Sequence, residues 1–217
     1  MSEYSKTLKI YGPRGTRHHI DLLQQIYGKF NISHEIHEIP TSIETRDFTI
    51  EHASMDHNIA AYAYSFIIKD KLRLNKAKLK KLKLPNLPII GQLQQGKDIV
   101  WEGKKIKAKT VTYHEEGKKV TVVMDTKLND NAIKLSADSD LLVCESTYAE
   151  READYASNYK HLTASQAATI AKKAKVKKLV LTHIAQRYEH NLKLIEKEAK
   201  KVFKNTKIVK DLDVITV

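Results

Sequence analysis

Three short apolar runs constrain this chain more than any other feature. Lys119–Met124 (KVTVVM), Ser139–Cys144 (SDLLVC) and Lys178–Thr182 (KLVLT) have the length and apolar content of strands. Each stops abruptly at a polar residue able to do chemistry: Asp125, Glu145 and His183. Between and after them, Thr163–Lys175 reads as an amphipathic helix with Thr163 as its cap, and Leu192–Phe203 as another. Strand alternating with helix predicts a layered α/β fold. Rigid strands present the side chains at their ends with little entropic cost, so an active site is expected at that sheet edge.

The first half is richer in strands. Thr7–Tyr11 alternates and stops at the turn Gly12-Pro13, and His19–Tyr27 then places Ile20, Leu23, Ile26 and Tyr27 on one helical face. Ile32–Ile39, closed by Pro40, and Phe48–Met55 read as strands, and Ala61–Ile68 as a buried, aromatic-rich one. Lys207–Val217 supplies the last strands. The stretch Lys69–Lys83 differs from all of these. It carries Lys69, Lys71, Arg73, Lys76, Lys78, Lys80, Lys81 and Lys83 against the single acid Asp70, with leucines at partly helical spacing. Pro85 and Pro88 end it, and Gly91, Gly96 and Gly103 follow. Residues 69–103 are therefore expected to form an inserted basic arm, because such a charge run repels itself without an anionic partner.

Charge and composition narrow the function. The 217 residues suit one substantial domain, and a formal net charge of +12 makes polyanions, nucleic acid first, the natural partners. No apolar run approaches the ~18–20 residues that a membrane helix needs, and Met1–Lys6 has no apolar signal core. The lone cysteine, Cys144, excludes an intramolecular disulfide framework and a CxxC zinc knuckle. The setting expected from these features is the cytoplasm, with no membrane partner. The low glycine content argues against glycine-built ATP or NAD sites. His57 follows a strand and His161 lies in a polar loop before a helix. Two imidazoles and a carboxylate are an ordinary ligand set for Zn²⁺ or Mn²⁺, although spacing alone leaves a structural role for each histidine open.

Six motifs in one order carry a resemblance. They are Ile10-Tyr11-Gly12-Pro13, His57 with the strand Ala61-Tyr62-Ala63-Tyr64, Asp125-Thr126, Cys144-Glu145-Ser146-Thr147, His161-Leu162-Thr163, and Leu181-Thr182-His183-Ile184-Ala185-Gln186-Arg187-Tyr188. Together they resemble the ribonuclease Z family of the metallo-β-lactamase superfamily, over nearly the whole chain. The resemblance implies an αββα sandwich, here without its N-terminal strands, occupying residues 1–217. It implies a zinc-dependent endoribonuclease that removes 3′ trailers from precursor transfer RNA. His57 and His183 would each bind one of two zinc ions, with Asp125 bridging them. His161 would be the general acid, with Glu145 orienting it. Arg187 would contact phosphate, and the arm, with Lys76, Lys78, Lys80 and Lys81, would grip the transfer RNA.

The family's HxHxDH block is the main departure. It lies upstream of "IYGP", where only a short segment stands here. His52-Ala53-Ser54-Met55-Asp56-His57 imitates it, but Ser54 is a poor zinc ligand. The expected partners are therefore precursor transfer RNA, a complementary chain carrying HxHxDH, and a second copy in a homodimer. The alternative reading is a non-catalytic RNA-binding subunit that keeps the fold.

Overall fold

The structure is a computed structural model, and it describes residues 5–38, 42–84 and 87–217. The expectations placed on Met1–Tyr4, on Ile39 and Pro40, and on Pro85 lie outside the described residues. The chain begins β1 (Leu8–Gly12), α1 (Thr16–Tyr27), β2 (His34–Glu38), β3 (Ile43–Glu44), β4 (Phe48–Met55) and β5 (Ala61–Ile68). It continues through β6 (Lys71–Leu74), α2 (Lys76–Lys81), α3 (Gly91–Gln94), β7 (Ile99–Trp101), β8 (Lys104–Ile106), α4 (Ala108–Val111) and β9 (Thr112–Glu115). It closes with β10 (Lys118–Val123), α5 (Asp130–Leu135), β11 (Leu141–Glu145), α6 (Ala153–Tyr159), α7 (Ala164–Lys173), β12 (Lys178–Thr182), α8 (Leu192–Val202) and β13 (Thr206–Ile208).

Seven strands form one sheet in the order β13-β12-β11-β10-β5-β4-β3. β10, β11, β12 and β13 are parallel, as crossover helices require. Their register aligns Val123, Cys144, Leu181 and Ile208 in one row across the sheet. That row faces α7, whose Ala164, Ala167, Ala168, Ile170 and Ala171 are all buried. Small residues at i, i+3, i+4 and i+7 let the helix lie close against the strands. Thr163 and Gln166 start α7 with a reciprocal capping box, which satisfies two backbone donors at the helix end. Ile195 and Ala199 of α8 complete this core.

The other face of the sheet is apolar and open. Tyr11, Ile43, Ile50, Tyr64, Phe66, Val120 and Val122 line a depression of about 380 Å³ on it. Phe66 remains 40% exposed and Val122 38%. The aromatic strand expected to be buried is therefore buried on one side only. Ala63 and Ser65 point into the core, whereas Tyr62, Tyr64 and Phe66 alternate to the open face.

β1 and β2 form a separate parallel pair next to α1. Glu38 accepts from the backbone N–H groups of Gly15 and Arg17, supplying the start of α1 with the acceptor that its own glycine cap lacks. α1 buries none of its residues. Its apolar positions Leu22, Leu23, Ile26 and Tyr27 are exposed.

A second compact unit comprises residues 45–49 and 67–118. Its own core joins Ile90, Leu93, Ile99, Ala108 and Val111, with Leu74, Leu79 and Leu84 packed against it. The leucines of the basic run are thus used by this core. Lys76, Lys78, Lys80 and Lys81 ride exposed on α2, which Asn75 caps by accepting from the Lys78 N–H.

Two sequence expectations are corrected. Only β13 forms in the final segment; beyond Ile208 the chain makes no further strand among the described residues. Lys69–Lys83 contributes a strand, β6, paired antiparallel with β9, before its helix begins. Positive charge does not suppress the strand, because Lys71 pairs with Asp47 and Arg73 with Glu115.

Candidate active site

The site assembles where β10, β11 and β12 end. Asp125 and His183 both take left-handed backbone conformations just past their strands, with φ of 48° and 52°. Non-glycine residues rarely adopt that region, and holding one there costs of order 1–3 kcal/mol. Each strand therefore turns sharply at the sheet edge on the residue that carries the chemistry. β11 needs no such turn, since Glu145 is its final residue.

Glu145 is fully buried and accepts from three loops of the site. Its Oε1 takes the Thr126 N–H at 2.7 Å and faces His161 Nδ1 at 3.1 Å. Its Oε2 takes the Thr147 hydroxyl at 2.7 Å and the Leu162 N–H at 3.0 Å. A buried carboxylate is tolerable only when so satisfied. Here the donors come from residues 126, 147 and 161–162, so one side chain fixes three separate segments.

The same hydrogen bonds determine which way each imidazole presents its nitrogens. Thr147 has one hydroxyl proton, which the charged carboxylate takes in preference to the His183 carbonyl at 3.0 Å. Its oxygen then accepts from His183 Nδ1 at 2.9 Å. His57 Nδ1 lies 3.1 Å from the Lys160 carbonyl, which can only accept. His161 Nδ1 donates to Glu145. All three rings thus have Nδ1 tied back to the protein and leave Nε2 for the site. The ring centroids of His57 and His183 lie 5.1 and 5.3 Å from that of His161. His183 Nε2 stands 3.6 Å from Asp125 Oδ1.

Ligand atoms of His57, Asp125 and His161 lie within 4.8 Å of one another, as do those of Glu145, His161 and His183. Imidazole Nε2 atoms around an aspartate fit a divalent transition metal such as Zn²⁺ or Mn²⁺. Glu145 fits such a role less well, because both its oxygens are already engaged. The structure brings His57, Asp125, Glu145, His161 and His183 together. Arg187 lies over the ring of Tyr148 at 5.7 Å and pairs with Glu152 at 2.8 Å. Tyr148 in turn neighbours His161, with ring centroids 6.3 Å apart. His52 belongs elsewhere, on β4 against Tyr62 and Tyr64. Cys144 is buried beneath the site, and burial pushes its thiol well above the ordinary range.

Sequence reasoning missed Lys160, Asp56 and the part played by Thr147. Thr147 stands inside a quoted motif, yet its role depends on His183, which is remote in sequence. Lys160 donates to Asp56 at 3.0 Å, and Lys127 pairs with the same carboxylate at 3.3 Å. These contacts, led by the Lys160 hydrogen bond, hold the Asp56 carboxyl below the ordinary aspartate range. No local pattern signals a pairing between residues 56 and 160.

No protein-family model matches the chain. Curated relatives do match. The ribonuclease Z of Lactiplantibacillus plantarum is 37% identical over 221 residues, covering 97% of this chain and 70% of that protein. The chain belongs to the ribonuclease Z family. An archaeal ribonuclease Z, from Methanosarcina acetivorans, is 32% identical over 94% of this chain and 69% of its own length. Among solved structures, the short form of human tRNase Z aligns with a TM-score of 0.62 at 21% identity, over 98% of this chain and 68% of that one. The metallo-β-lactamase fold protein YhfI from Bacillus subtilis aligns with a TM-score of 0.59 at 20% identity, over 94% of this chain and 63% of its own. The fold is therefore of the metallo-β-lactamase type. The chain spans about 70% of the length of these ribonuclease Z relatives.

The Glu145 arrangement has a measurable consequence. In Glu145→Gln, one oxygen becomes an NH₂ group facing donors, which leaves buried N–H or O–H groups unpaired. A loss of about 3 kcal/mol in folding free energy is expected, read from urea unfolding. A variant within about 1 kcal/mol of the parent would show that Glu145 does not tie the loops together.

Proposed function

We propose that this chain carries the catalytic centre of a zinc-dependent endoribonuclease that removes 3′ trailers from precursor transfer RNA in the cytoplasm. The observation that carries the reading is the convergence of His57, His161 and His183, each with Nδ1 held by the protein, around Asp125 in a ribonuclease Z family chain. The non-catalytic alternative is not favoured, since a site kept only for binding has no need of three imidazoles fixed in this manner.

His57, Asp125 and His183 would hold the metal. Bound zinc would supply Lewis acidity for a displacement at phosphorus. The protein's own groups do the rest. Glu145 holds His161 so that Nε2 faces the departing 3′ oxygen, to which His161 delivers a proton. Arg187, at the rim beside Tyr148, exchanges Glu152 for a phosphate oxygen of the RNA through its planar fork. The exposed lysines of α2 act by displacing counterions from the transfer RNA backbone.

The donor set is short for two metals. We propose that a partner segment carrying HxHxDH supplies the remaining donors and covers the open apolar face around Phe66, Val120 and Val122. Light scattering after size exclusion tests this reading. A peptide with HxHxDH should join the chain and raise its zinc content, while the chain alone should self-associate, as a homodimer or through the open face. A well-behaved zinc-loaded monomer with full activity would overturn it.

Two substitutions test the assigned roles. His161→Ala should lower the cleavage rate of the completed enzyme by roughly 10²–10⁴, the usual range for a lost general acid. Zinc content should stay unchanged, and its loss would place His161 among the ligands instead. Replacing Lys76, Lys78, Lys80 and Lys81 with alanine should weaken precursor transfer RNA binding and flatten its salt dependence, without slowing hydrolysis of a small phosphodiester. Unchanged binding at moderate salt would remove the arm from the RNA interface.

A further inference from the structure

Lys160 occupies an unusual position. It ends α6, directly before His161, in a left-handed conformation with φ of 57°. For a long side chain that conformation is unfavourable by about 1–2 kcal/mol relative to glycine. A helix end alone would be served better by glycine. Lys83 and Lys175 take the same conformation just past α2 and α7, so Lys160 is set apart by what it touches.

Three contacts identify it. The Lys160 carbonyl accepts from His57 Nδ1 at 3.1 Å. Its ammonium reaches back to the same residue, donating to the His57 carbonyl at 3.4 Å. It also binds the carboxylate of Asp56 at 3.0 Å. One residue therefore grips His57 from both ends, side chain with main chain and main chain with ring. The anchored loop is braced again on its other side. The Asp56 N–H donates to Thr126 Oγ1 at 3.1 Å, and the Asp56 carbonyl accepts the Lys127 N–H at 3.2 Å. Thr126 is in turn fixed by Glu145, which fixes His161, the neighbour of Lys160. The contacts close into a ring through Lys160, His57, Asp56, Thr126, Glu145 and His161. Lys160 is the member that joins the His57 loop to the His161 loop.

We propose that Lys160 is a positioning residue of this centre, holding His57 in the Nδ1–H form with Nε2 aimed into the site. The assignment rests on the reading of His57 as a metal ligand. A free imidazole in water prefers the opposite tautomer, with the proton on Nε2, where it blocks coordination. The Lys160 carbonyl reverses that preference only while the ring stays in reach, and the ammonium keeps it there by clamping Asp56 and the His57 carbonyl.

The test uses the 217-residue chain with Zn²⁺ as the probe, in Lys160→Met, Lys160→Gly and Lys160→Arg. Long-range ¹H–¹⁵N spectra of the metal-free protein report the His57 tautomer directly. The parent should show His57 as the Nδ1–H form, the Met and Gly variants should shift toward Nε2–H, and Arg should restore the parent pattern. Zinc affinity should fall about 10–100-fold in Met and Gly, the range for loss of a group that orients a ligand. Lys160→Gly separates positioning from stability. Relief of the left-handed backbone should leave its unfolding temperature equal to or above the parent's, while its zinc affinity falls. Should affinity and unfolding temperature instead drop together, with the His57 tautomer unchanged, Lys160 would be an ordinary structural residue and the proposal would fail. A parent chain that binds no zinc, yet keeps the Lys160-dependent tautomer, would sustain the positioning role and count against the metal reading of His57.

Discussion

A single buried carboxylate sets the geometry of this centre. Glu145 has no contact with water, yet it is the acceptor shared by Thr126, Thr147, His161 and Leu162. Removing an isolated carboxylate from water costs far more than a fold can tolerate, so its donors must all arrive together or not at all. That requirement couples three loops, two of which are also joined by the backbone bridge between Tyr148 and Thr163. It also reaches His183 indirectly, because the Thr147 proton given to Glu145 leaves the Thr147 oxygen free to accept from the His183 ring. The orientation of two imidazoles thus follows from one acid.

Backbone strain also occurs at this place. Asp125, Lys160 and His183 all hold positive φ without being glycine. Here each strained residue makes a side-chain contact in the site that glycine could not make: Asp125 with His183, His183 with Thr147, Lys160 with Asp56. Strain of a few kcal/mol is sustainable only because the parallel strands beneath are well anchored. The rows Thr121–Leu142–Leu179 and Val123–Cys144–Leu181 are buried throughout, under an alanine-rich helix that approaches closely.

Much of this frame was legible before any coordinates. Phe48–Met55, Ala61–Ile68 and Lys178–Thr182 form strands with the bounds that their alternation indicated, and Thr163 caps its helix as its position suggested. Those features are local, set by side-chain period and by a single cap. The convergence of Asp125, Glu145 and His183 could be anticipated because parallel strands end at a common edge. What could not be read was anything that depends on pairs distant in sequence. The Lys160 contacts with Asp56 and His57 span about a hundred positions, and neither end has an unusual neighbourhood. The half-exposed state of β5 was misread for a similar reason. Tyr62, Tyr64 and Phe66 are apolar enough for a core, and only the sheet's layering shows that Tyr64 and Phe66 line an open depression.

The site divides its labour unevenly between orientation and coordination. The Nδ1 sides of His57, His161 and His183 are engaged by groups of this chain, some of them completely buried. The ring and carboxylate faces that would meet a metal are more open, with the His183 and Asp125 side chains each nearly half exposed. Outer groups that fix a ligand's tautomer and direction normally contribute one to two orders of magnitude to metal affinity, and they do so before any ion arrives. This chain therefore holds the part of the centre that cannot be improvised, namely the direction of each nitrogen. Additional donors approaching from the open side need only complete a coordination shell. On the reading proposed above, a segment that docks there would gain its specificity from an already oriented set of imidazoles, not from reshaping them.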